Sequence, residues 1–212
     1  MRDSYKIVNN FISIDEKNEI VNFIDSITSS DKDIEDSHVS YIAKKLNGNS
    51  YMFDISKNEI TKSITSFQSG NSVVNIELPN IIHDIIERIC KALSIERENI
   101  FLQILDMNKG GIIKPHYDFG YEGYITYKCN ISIQSDDYEF IVGDDKLKVK
   151  ELDLYCFEAS LYKHYTLKEF SNRRVLLSFG FAIPYNKLDR NESDPRVRLS
   201  HRIQKYFQKN EK

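Results

Sequence analysis

The sequence predicts a mainly β protein with flanking helices, built on a double-stranded β-helix, or jelly roll. Two observations support this fold class. From Ile100 onward, short runs rich in β-branched and aromatic residues follow one another, with turn residues between them. Before Ile100, two stretches instead place apolar residues at helical spacing. The chain has 212 residues and no Pro/Gly/Ser-rich linker, so we expect one domain spanning residues 1–212.

Residues 1–99 are predicted to buttress the sheet with helices and short strands. Residues 5–12 are typical of a short strand and turn, and Ser13 with Glu16 forms a capping box that begins a helix. The apolar stripe of this helix consists of Ile20, Val21, Phe23, Ile24 and Ile27. A polar, acidic surface loop is predicted for residues 29–37. Short strands are predicted within residues 38–77, at 39–43, 51–55 and 73–76.

A second helix is predicted from Pro79 to Leu93. Proline fits the first turn of a helix, where its missing N–H is not needed. The buried face of this helix consists of Ile82, Ile85, Ile86, Ile89 and Leu93.

Residues 100–184 are predicted to form the jelly-roll core. Turn residues at 108–111, 135–137 and 143–145 separate runs with strand character. Eight strands are expected, at residues 100–107, 112–116, 125–134, 138–142, 146–149, 154–158, 162–167 and 174–182.

The segment 194–212 is predicted to be a basic amphipathic helix. Its apolar positions, Leu199, Ile203 and Phe207, recur every four residues. Its basic residues are Arg196, Arg198, Arg202, Lys205, Lys209 and Lys212. Two interpretations are open: a helix docked on the barrel with a solvated charged face, or a phosphate-binding patch.

Composition argues against partners that need a strongly charged or apolar chain. The 29 basic and 32 acidic residues give a formal charge of -3, which provides no general attraction for nucleic acid or an anionic membrane. No apolar run is long enough for a membrane span. Cys90, Cys129 and Cys156 are odd in number and far apart in sequence, so they are expected to be buried free thiols. These features predict a cytoplasmic protein.

The most informative motif is the His116-X-Asp118 pair. Residues two apart on a strand point to the same face, so these two side chains are expected to lie together. His164 is the expected third ligand. Two imidazoles and one carboxylate form the facial triad that holds non-haem Fe(II) and leaves positions open. The sequence therefore predicts an Fe(II) site.

An arginine follows the last of these ligands at a fixed distance. Arg174 is ten positions after His164 and opens a buried strand, where a guanidinium needs an anion and suits a carboxylate. Ser178 is expected on the same strand face and could add a hydrogen bond. Arg173 points to the opposite face and is interpreted as a surface or salt-bridged residue, although a register error of one residue would exchange the two roles.

These motifs resemble the Fe(II)/2-oxoglutarate oxygenases, whose pattern is His-X-Asp, a distal His, and a basic residue about ten positions later. Within that superfamily the sequence is similar to the aspartyl/asparaginyl β-hydroxylase-like group, which includes bacterial L-proline hydroxylases. The resemblance covers roughly residues 100–184, including the segment 127–133 and the hairpin 140–144. Gly180 stands where nucleic-acid demethylases of the superfamily carry a second arginine.

The resemblance implies both cofactors and site residues. Fe(II), 2-oxoglutarate as co-substrate and O₂ are expected, with Arg174 on the distal carboxylate of 2-oxoglutarate and Lys128 and Asn130 holding its other end. The implied reaction hydroxylates an unactivated C–H bond of an amino-acid-like small molecule or a peptide side chain, with release of succinate and CO₂. Desaturation or ring formation on the same iron stays open.

Several further residues are candidates for substrate binding. Gln103 is expected to face the barrel interior, and Glu158 to reach the mouth of the pocket. The aromatic segment after the ligands could be a lid over the substrate or a packed edge, and its candidate contacts are Tyr117, Tyr121 and Tyr124. An acidic rim is expected from Asp136, Asp137, Glu139, Asp144 and Asp145, and this rim argues against nucleic acid as substrate.

Three alternatives belong to other classes. One is a nucleic-acid- or protein-modifying oxygenase of the same superfamily. Another is a non-catalytic, cupin-like metal-binding protein, which iron binding without turnover would favour. The third is a zinc or manganese enzyme that uses the same ligands, and loss of activity on replacing Fe(II) with either metal would disfavour it.

Overall fold

The computed structural model describes residues 5–30, 48–55, 64–69, 72–94, 100–118, 123–188, 195 and 197. These residues form two helices, α1 (Ile14–Ser30) and α2 (Asn80–Leu93), and a short 3₁₀ turn at Tyr185–Leu188. Their strands are β1 (Tyr5–Val8), β2 (Gly48–Ile55), β3 (Ile64–Ser69), β4 (Ser72–Glu77), β5 (Ile100–Met107), β6 (Tyr124–Gln134), β7 (Tyr138–Val142), β8 (Asp145–Val149), β9 (Leu154–Glu158), β10 (His164–Thr166) and β11 (Arg174–Pro184).

The strands form two facing antiparallel sheets and one separate hairpin. The larger sheet has the order β1-β9-β6-β11-β5-β2, and the smaller has the order β10-β7-β8. Strands β3 and β4 pair only with each other. Neighbours in the large sheet come from distant parts of the chain, as a jelly roll requires. The predicted fold class is confirmed.

Side-chain alternation along β11 divides the apolar core into two layers. Val175, Leu177 and Phe179 point toward α1 and α2, which cover the outer face of the large sheet. Arg174 and Leu176 point the other way, and Leu176 packs with Phe140, Leu147 and Val149 from the small sheet. Polar side chains on the inner face of β11 therefore lie inside the jelly roll.

Helix α1 begins with the predicted capping box. The Ser13 N–H donates to Glu16 Oε2 at 2.7 Å, and the Glu16 N–H donates to Ser13 Oγ at 3.2 Å. Ile20, Ile24 and Ile27 are buried against the sheet. The surface loop predicted for residues 29–37 begins too early, because α1 continues through Ser30. The rest of that loop lies outside the described residues.

Replacing Ser13 with Ala should lower the free energy of unfolding by about 1 kcal/mol, because the Glu16 N–H loses its acceptor at the start of α1. Chemical denaturation measures this change. Ser26→Ala is the matched control, since its hydroxyl is exposed and hydrogen-bonds the Phe23 carbonyl within the same helix. An equal loss in both variants would contradict the capping role.

Helix α2 buries the predicted apolar face, but Pro79 occupies a different position. Ile82, Ile85, Ile86 and Ile89 are buried. Pro79 stands at the N-cap in extended conformation, with ψ of 151°, rather than in the first turn. Helical hydrogen bonding starts one residue later than predicted.

Segment 112–116 was predicted to be a strand, but it forms no ladder, so this prediction is wrong. The Thr166 N–H donates to the Ile113 carbonyl, whereas the Ile113 N–H donates to the Thr166 hydroxyl. Pro115 lacks an N–H, and only His116 forms a bridge, to His164. The neighbouring strand predicted at 162–167 is also shorter, and β10 contains only His164–Thr166, which pairs with β7.

The remaining strand predictions differ in outcome. Segments 51–55 and 73–76 lie within β2 and β4, while β3 was not predicted because few of its residues are apolar. Segment 39–43 lies outside the described residues. Of the predicted helix 194–212, only Pro195 and Val197 are described; both are helical, and Val197 is buried beside Ile125 and Leu161.

The three cysteines are free and buried, as predicted, yet they are not dispersed in space. Cys129 on β6 and Cys156 on β9 are direct cross-strand partners. Burial, a hydrogen bond with Cys156 and the proximity of Cys90 raise the pKa of the Cys129 thiol well above its usual value. The Cys129 thiol is therefore a protonated part of the outer core. Neither described helix is long and apolar enough to cross a bilayer.

Candidate metal centre

Three ligand-type side chains converge inside the jelly roll. Ligand atoms of His116, Asp118 and His164 all lie within 4.8 Å of one another. Asp118 Oδ1 is 3.5 Å from His116 Nε2 and 3.7 Å from His164 Nε2. The two imidazole centroids are 4.2 Å apart. The three donors thus face one common point, as a facial triad requires.

Backbone hydrogen bonds between two segments place these ligands. The His116 N–H donates to the His164 carbonyl at 3.3 Å, and the His164 N–H donates to the His116 carbonyl at 2.9 Å. The Asp118 N–H donates to the Ala159 carbonyl at 3.1 Å. His116 and Asp118 therefore share a face without belonging to one regular strand, although a regular strand was the premise of the sequence prediction.

The outer nitrogen of each imidazole contacts a backbone carbonyl. His116 Nδ1 is 2.7 Å from the Lys114 carbonyl oxygen, and His164 Nδ1 is 3.1 Å from that of Tyr162. A carbonyl can only accept a hydrogen bond, so each Nδ1 carries the N–H in the neutral ring. Each Nε2 lone pair then points toward the centre. Such carbonyl contacts orient the histidine ligands of metal sites.

The charges of the ligands are also suited to a cation. Burial favours the protonated form of Asp118, but Lys128 and the imidazoles outweigh burial and hold its pKa well below the usual range. Burial lowers the pKa of His164 to about 4. Burial opposes the charged form of His116 as well, but Asp118 outweighs it and raises the pKa of His116. At neutral pH the centre holds an ionised carboxylate and a neutral His164.

A buried lysine lies against this centre. Lys128 Nζ is 3.5 Å from Asp118 Oδ2 and donates to Ser178 Oγ at 3.2 Å. Its ammonium also lies 4.5 Å from the centroid of the Phe101 ring. Ser178 was predicted to support a carboxylate bound by Arg174, but its described partner is Lys128.

Arg174 forms a second polar site, deeper between the sheets. The side chain is fully buried, and Nη2 donates to the hydroxyls of Tyr138 at 2.8 Å and Tyr155 at 3.2 Å. The rings of Tyr138 and Phe170 lie 4.6 and 4.7 Å from the guanidinium carbon. Arg174 Nε and Nη1 have no hydrogen-bond partner among the described residues. A buried guanidinium with unpaired donors suits an anion such as a carboxylate, which would complete its hydrogen bonds.

One aromatic layer links the arginine site to the triad. Phe140 lies between them, with its ring 5.1 Å from Tyr155 and 6.1 Å from His164 between centroids. Burial and the neighbouring Tyr138 raise the pKa of Tyr155 well above its usual value, so its hydroxyl keeps its proton. Both sites therefore belong to one interior.

Three polar residues that were predicted separately as site residues are neighbours across the large sheet. Ser178 pairs with Gln103 on one side and Asn130 on the other, and Asn130 pairs with Tyr155. Gln103, Ser178 and Asn130 thus occupy neighbouring positions on the inner face. The Asn130 side chain is buried, and its Oδ1 has no hydrogen-bond partner within the described ranges.

The remaining predicted substrate contacts are less closely grouped. Tyr117 and Tyr124 are exposed on either side of the undescribed segment 119–122, which contains Tyr121. Glu158 follows Phe157 on β9 and pairs with Tyr127, so strand alternation places it on the helix-facing side of the sheet. The expectation that Glu158 reaches the pocket mouth is therefore wrong.

The predicted acidic rim is divided between the two ends of the β7–β8 hairpin. The Gly143 N–H donates to the Lys163 carbonyl, so exposed Asp144 and Asp145 lie near the β10 end that carries His164. At the other end, the Asn172 amide donates to Asp136. Glu139 is paired with Lys146 at 2.6 Å. The rim is less negative than the sequence indicates.

Sequence reasoning missed four aromatic residues at these sites: Phe101, Tyr138, Tyr155 and Phe170. Phe101, Tyr138 and Tyr155 lie in predicted strands but were given no site role, and Phe170 lies in a polar stretch between two predicted strands. Alternation along β9 was the available signal, because it puts Tyr155 and Phe157 on one face and Glu158 on the other.

Comparison with known proteins identifies the fold. No family model and no curated protein matches the sequence. Among solved structures, the chain is similar to a viral collagen prolyl hydroxylase of Paramecium Bursaria Chlorella virus-1, with a TM-score of 0.54. The two sequences are 13% identical, and the match covers 85% of this chain and 97% of that chain. A Pseudomonas putida prolyl-4-hydroxylase has 10% identity, with 85% and 92% covered and a TM-score of 0.54. The chain has the fold of these oxygenases.

A third similar structure is a Trichoplax adhaerens prolyl hydroxylase in complex with a peptide fragment of the hypoxia inducible factor oxygen degradation domain. It has 10% identity, 89% of this chain and 88% of that chain covered, and a TM-score of 0.54. Identities this low demonstrate a common architecture only. The narrower resemblance to the aspartyl/asparaginyl β-hydroxylase-like group stays a prediction.

Proposed function

We propose that this protein is an Fe(II)- and 2-oxoglutarate-dependent dioxygenase. The observation that carries the proposal is the fully buried Arg174, whose Nε and Nη1 lack partners among the described residues, inside the same jelly roll as the His116, Asp118 and His164 group. A buried guanidinium with unsatisfied donors is costly unless an anion completes its hydrogen bonds. The distal carboxylate of 2-oxoglutarate is such an anion.

The donor set fits iron. Two imidazole nitrogens and one carboxylate oxygen face one point, and the Nδ1 contacts orient both rings for coordination through Nε2. When bound, Fe(II) supplies O₂ activation, so that 2-oxoglutarate becomes succinate and CO₂ and one oxygen atom enters a substrate C–H bond. The chain's own residues bind and orient the reactants and exclude water around them.

Each polar residue of the interior has a role in this proposal. Arg174 and the Tyr138 hydroxyl bind the distal carboxylate of 2-oxoglutarate, and the tyrosine and Phe170 rings keep water from the guanidinium. Lys128 and Asn130, buried on β6, lie toward the other end of the co-substrate. Gln103 is the inner-face residue offered to the substrate. Tyr117 and Tyr124 are exposed and are offered as substrate contacts.

The substrate class that we propose is an amino-acid side chain, either free or within a peptide. Two of the similar structures are named as collagen prolyl hydroxylase and prolyl-4-hydroxylase, and a third contains a peptide fragment. Exposed tyrosines beside the centre suit an apolar or aliphatic side chain. Prolyl peptides and free proline are therefore the first compounds to test.

The test is substrate-stimulated succinate formation. Protein loaded with Fe(II) without oxygen is mixed with 2-oxoglutarate, O₂ and a panel of free amino acids and peptides, and mass spectrometry measures succinate and the substrate. We expect succinate together with a product heavier by one oxygen atom. Tight binding of iron and 2-oxoglutarate without succinate from any compound would instead identify a non-catalytic metal-binding protein. Activity retained with Zn(II) would exclude the oxygenase reaction.

Methylated oligonucleotides should not stimulate succinate formation, whereas a compound that carries an amino group should. Asp144 and Asp145 are exposed near the metal-centre end of the hairpin and repel phosphates. The same succinate assay, run at two salt concentrations, checks this expectation. Demethylation that weakens with salt and disappears on truncation after residue 194 would contradict it and would make the C-terminal basic segment a nucleic-acid contact.

A further inference from the structure

Lys128 is an unusual residue for the interior of a sheet. Its side chain is buried on β6, and a buried ammonium is costly unless other groups replace its hydration. The partners of Nζ are Ser178 Oγ at 3.2 Å, Asp118 Oδ2 at 3.5 Å and the face of the Phe101 ring at 4.5 Å. Only one of these partners, Asp118, carries a charge. The lysine is therefore directed at the metal-binding carboxylate.

The two oxygens of Asp118 have different surroundings. Oδ1 faces the Nε2 atoms of His116 and His164, at 3.5 and 3.7 Å. Oδ2 faces Lys128 instead. The carboxylate is therefore already oriented, with one oxygen toward the centre of the triad and the other held by the ammonium.

A glycine on the central strand allows this arrangement. Phe101, Gly180 and Lys128 are adjacent across β5, β11 and β6. A Cβ atom on Gly180 would lie 2.0 Å from the Phe101 ring, so the ring occupies the space that a side chain would take. The Phe101 ring thereby crosses Gly180 and presents its π face to Lys128 on the next strand.

We propose that Lys128 is a positioning residue for the metal ligand Asp118, and that Gly180 and Phe101 hold its ammonium in place. Lys128 binds Oδ2 and leaves Oδ1 as the single oxygen offered to a metal. A carboxylate that ligates through both oxygens takes an additional coordination position, and the proposed function needs the open positions for 2-oxoglutarate and O₂. The inference rests on the proposed metal site and adds a role that binding of 2-oxoglutarate does not require.

The sign of the effect on metal affinity tests the proposal. If Lys128 only placed a positive charge near the metal, removing it would strengthen binding of a divalent cation. If Lys128 positions Asp118, removing it should weaken metal binding. Loss of a residue that orients a metal ligand typically costs about 10- to 100-fold in metal affinity.

The experiment measures Mn(II) affinity by calorimetry on the full chain without 2-oxoglutarate, so that no turnover is involved. We expect Lys128→Met to weaken Mn(II) binding roughly 10- to 100-fold. Lys168→Met is the matched control: it removes the same charge from an exposed side chain four residues after His164, and binding should stay within about twofold of wild type. Unchanged or tighter binding in Lys128→Met would overturn the proposal. Absence of Mn(II) binding in the wild type would instead refute the metal site itself.

A spectroscopic measurement separates positioning from a merely structural role. With Co(II) in place of Mn(II), the visible absorption bands report ligand geometry. They should change in Lys128→Met and stay the same in Lys168→Met. A lower melting temperature with unchanged Co(II) bands and Mn(II) affinity would show that Lys128 only stabilises the fold.

The Phe101 and Gly180 part of the proposal has its own variants. Phe101→Leu keeps an apolar side chain but removes the π face, and it should weaken Mn(II) binding several-fold. Gly180→Ala should have the same or a larger effect, because the new methyl group displaces the ring. If Gly180→Ala does not fold, Phe101→Leu decides the question alone. Wild-type affinity in Phe101→Leu would remove the aromatic residue and the glycine from the mechanism.

Discussion

Replacing His116 with Ala is expected to reduce iron-dependent succinate formation to the background rate while the fold is retained. His116 is one of the three ligand-type side chains that face a common point. Its own side chain is 45% exposed, so little core packing is lost with it. Succinate assays and Mn(II) calorimetry measure the functional loss, and thermal unfolding should show a melting temperature close to that of the wild type.

The matched control is His83→Ala, which removes a buried imidazole from α2, on the other side of the large sheet. That variant is expected to lose stability and to keep its metal affinity. Wild-type turnover in His116→Ala would refute the triad.

Replacing Arg174 with Leu should raise the 2-oxoglutarate requirement on the order of 30-fold or more. A lost charge-assisted, two-point contact in a water-free site costs about 2 to 5 kcal/mol. The 2-oxoglutarate requirement of Arg174→Lys should lie between those of the wild type and Arg174→Leu, because lysine keeps the charge but lacks the several donors of a guanidinium. The measurement is the 2-oxoglutarate dependence of succinate formation, together with 2-oxoglutarate binding to Mn(II)-loaded protein.

The control for Arg174 is its neighbour. Arg173 points to the other face of β11, where it donates to both oxygens of buried Asp106, at 2.8 and 2.9 Å, and to Asp25 at 2.7 Å. Its two carboxylate partners raise the pKa of Arg173, with Asp106 as the main cause. Arg173→Leu should therefore destabilise the fold and leave 2-oxoglutarate affinity unchanged. The reverse result would exchange the two arginines and contradict the register of β11.

The groups that surround each arginine explain why Arg173 and Arg174 have different expected roles. Arg173 already has its anions, whereas Arg174 has only two neutral hydroxyls and two aromatic rings among the described residues. An arginine satisfied by carboxylates stabilises structure, and one that lacks an anion can bind one from solution.

Local chemistry explains why much of this protein could be predicted from the sequence alone. The Ser13–Glu16 capping box depends on residues three apart, and the alternation of β11 depends on the two-residue period of a strand. The His116, Asp118, His164 and Arg174 pattern could be found because the ligand types and their order indicate a metal site and an anion site. These signals need no knowledge of what packs against what.

Only the tertiary structure decided which side chains meet across the sheets. The pairing of Ser178 with Lys128, the tyrosine hydroxyls around Arg174 and the cross-strand pair Cys129–Cys156 all depend on strand order and register. Segment 112–116 is likewise irregular because Pro115 has no N–H to donate to the neighbouring strand. Sequence periodicity shows that Tyr155 and Glu158 lie on opposite faces but does not identify the inner face. The inner face is defined only when the small sheet packs on one side of the large sheet and the helices pack on the other. Both faces of the large sheet are apolar and buried, so the sequence pattern alone does not distinguish them.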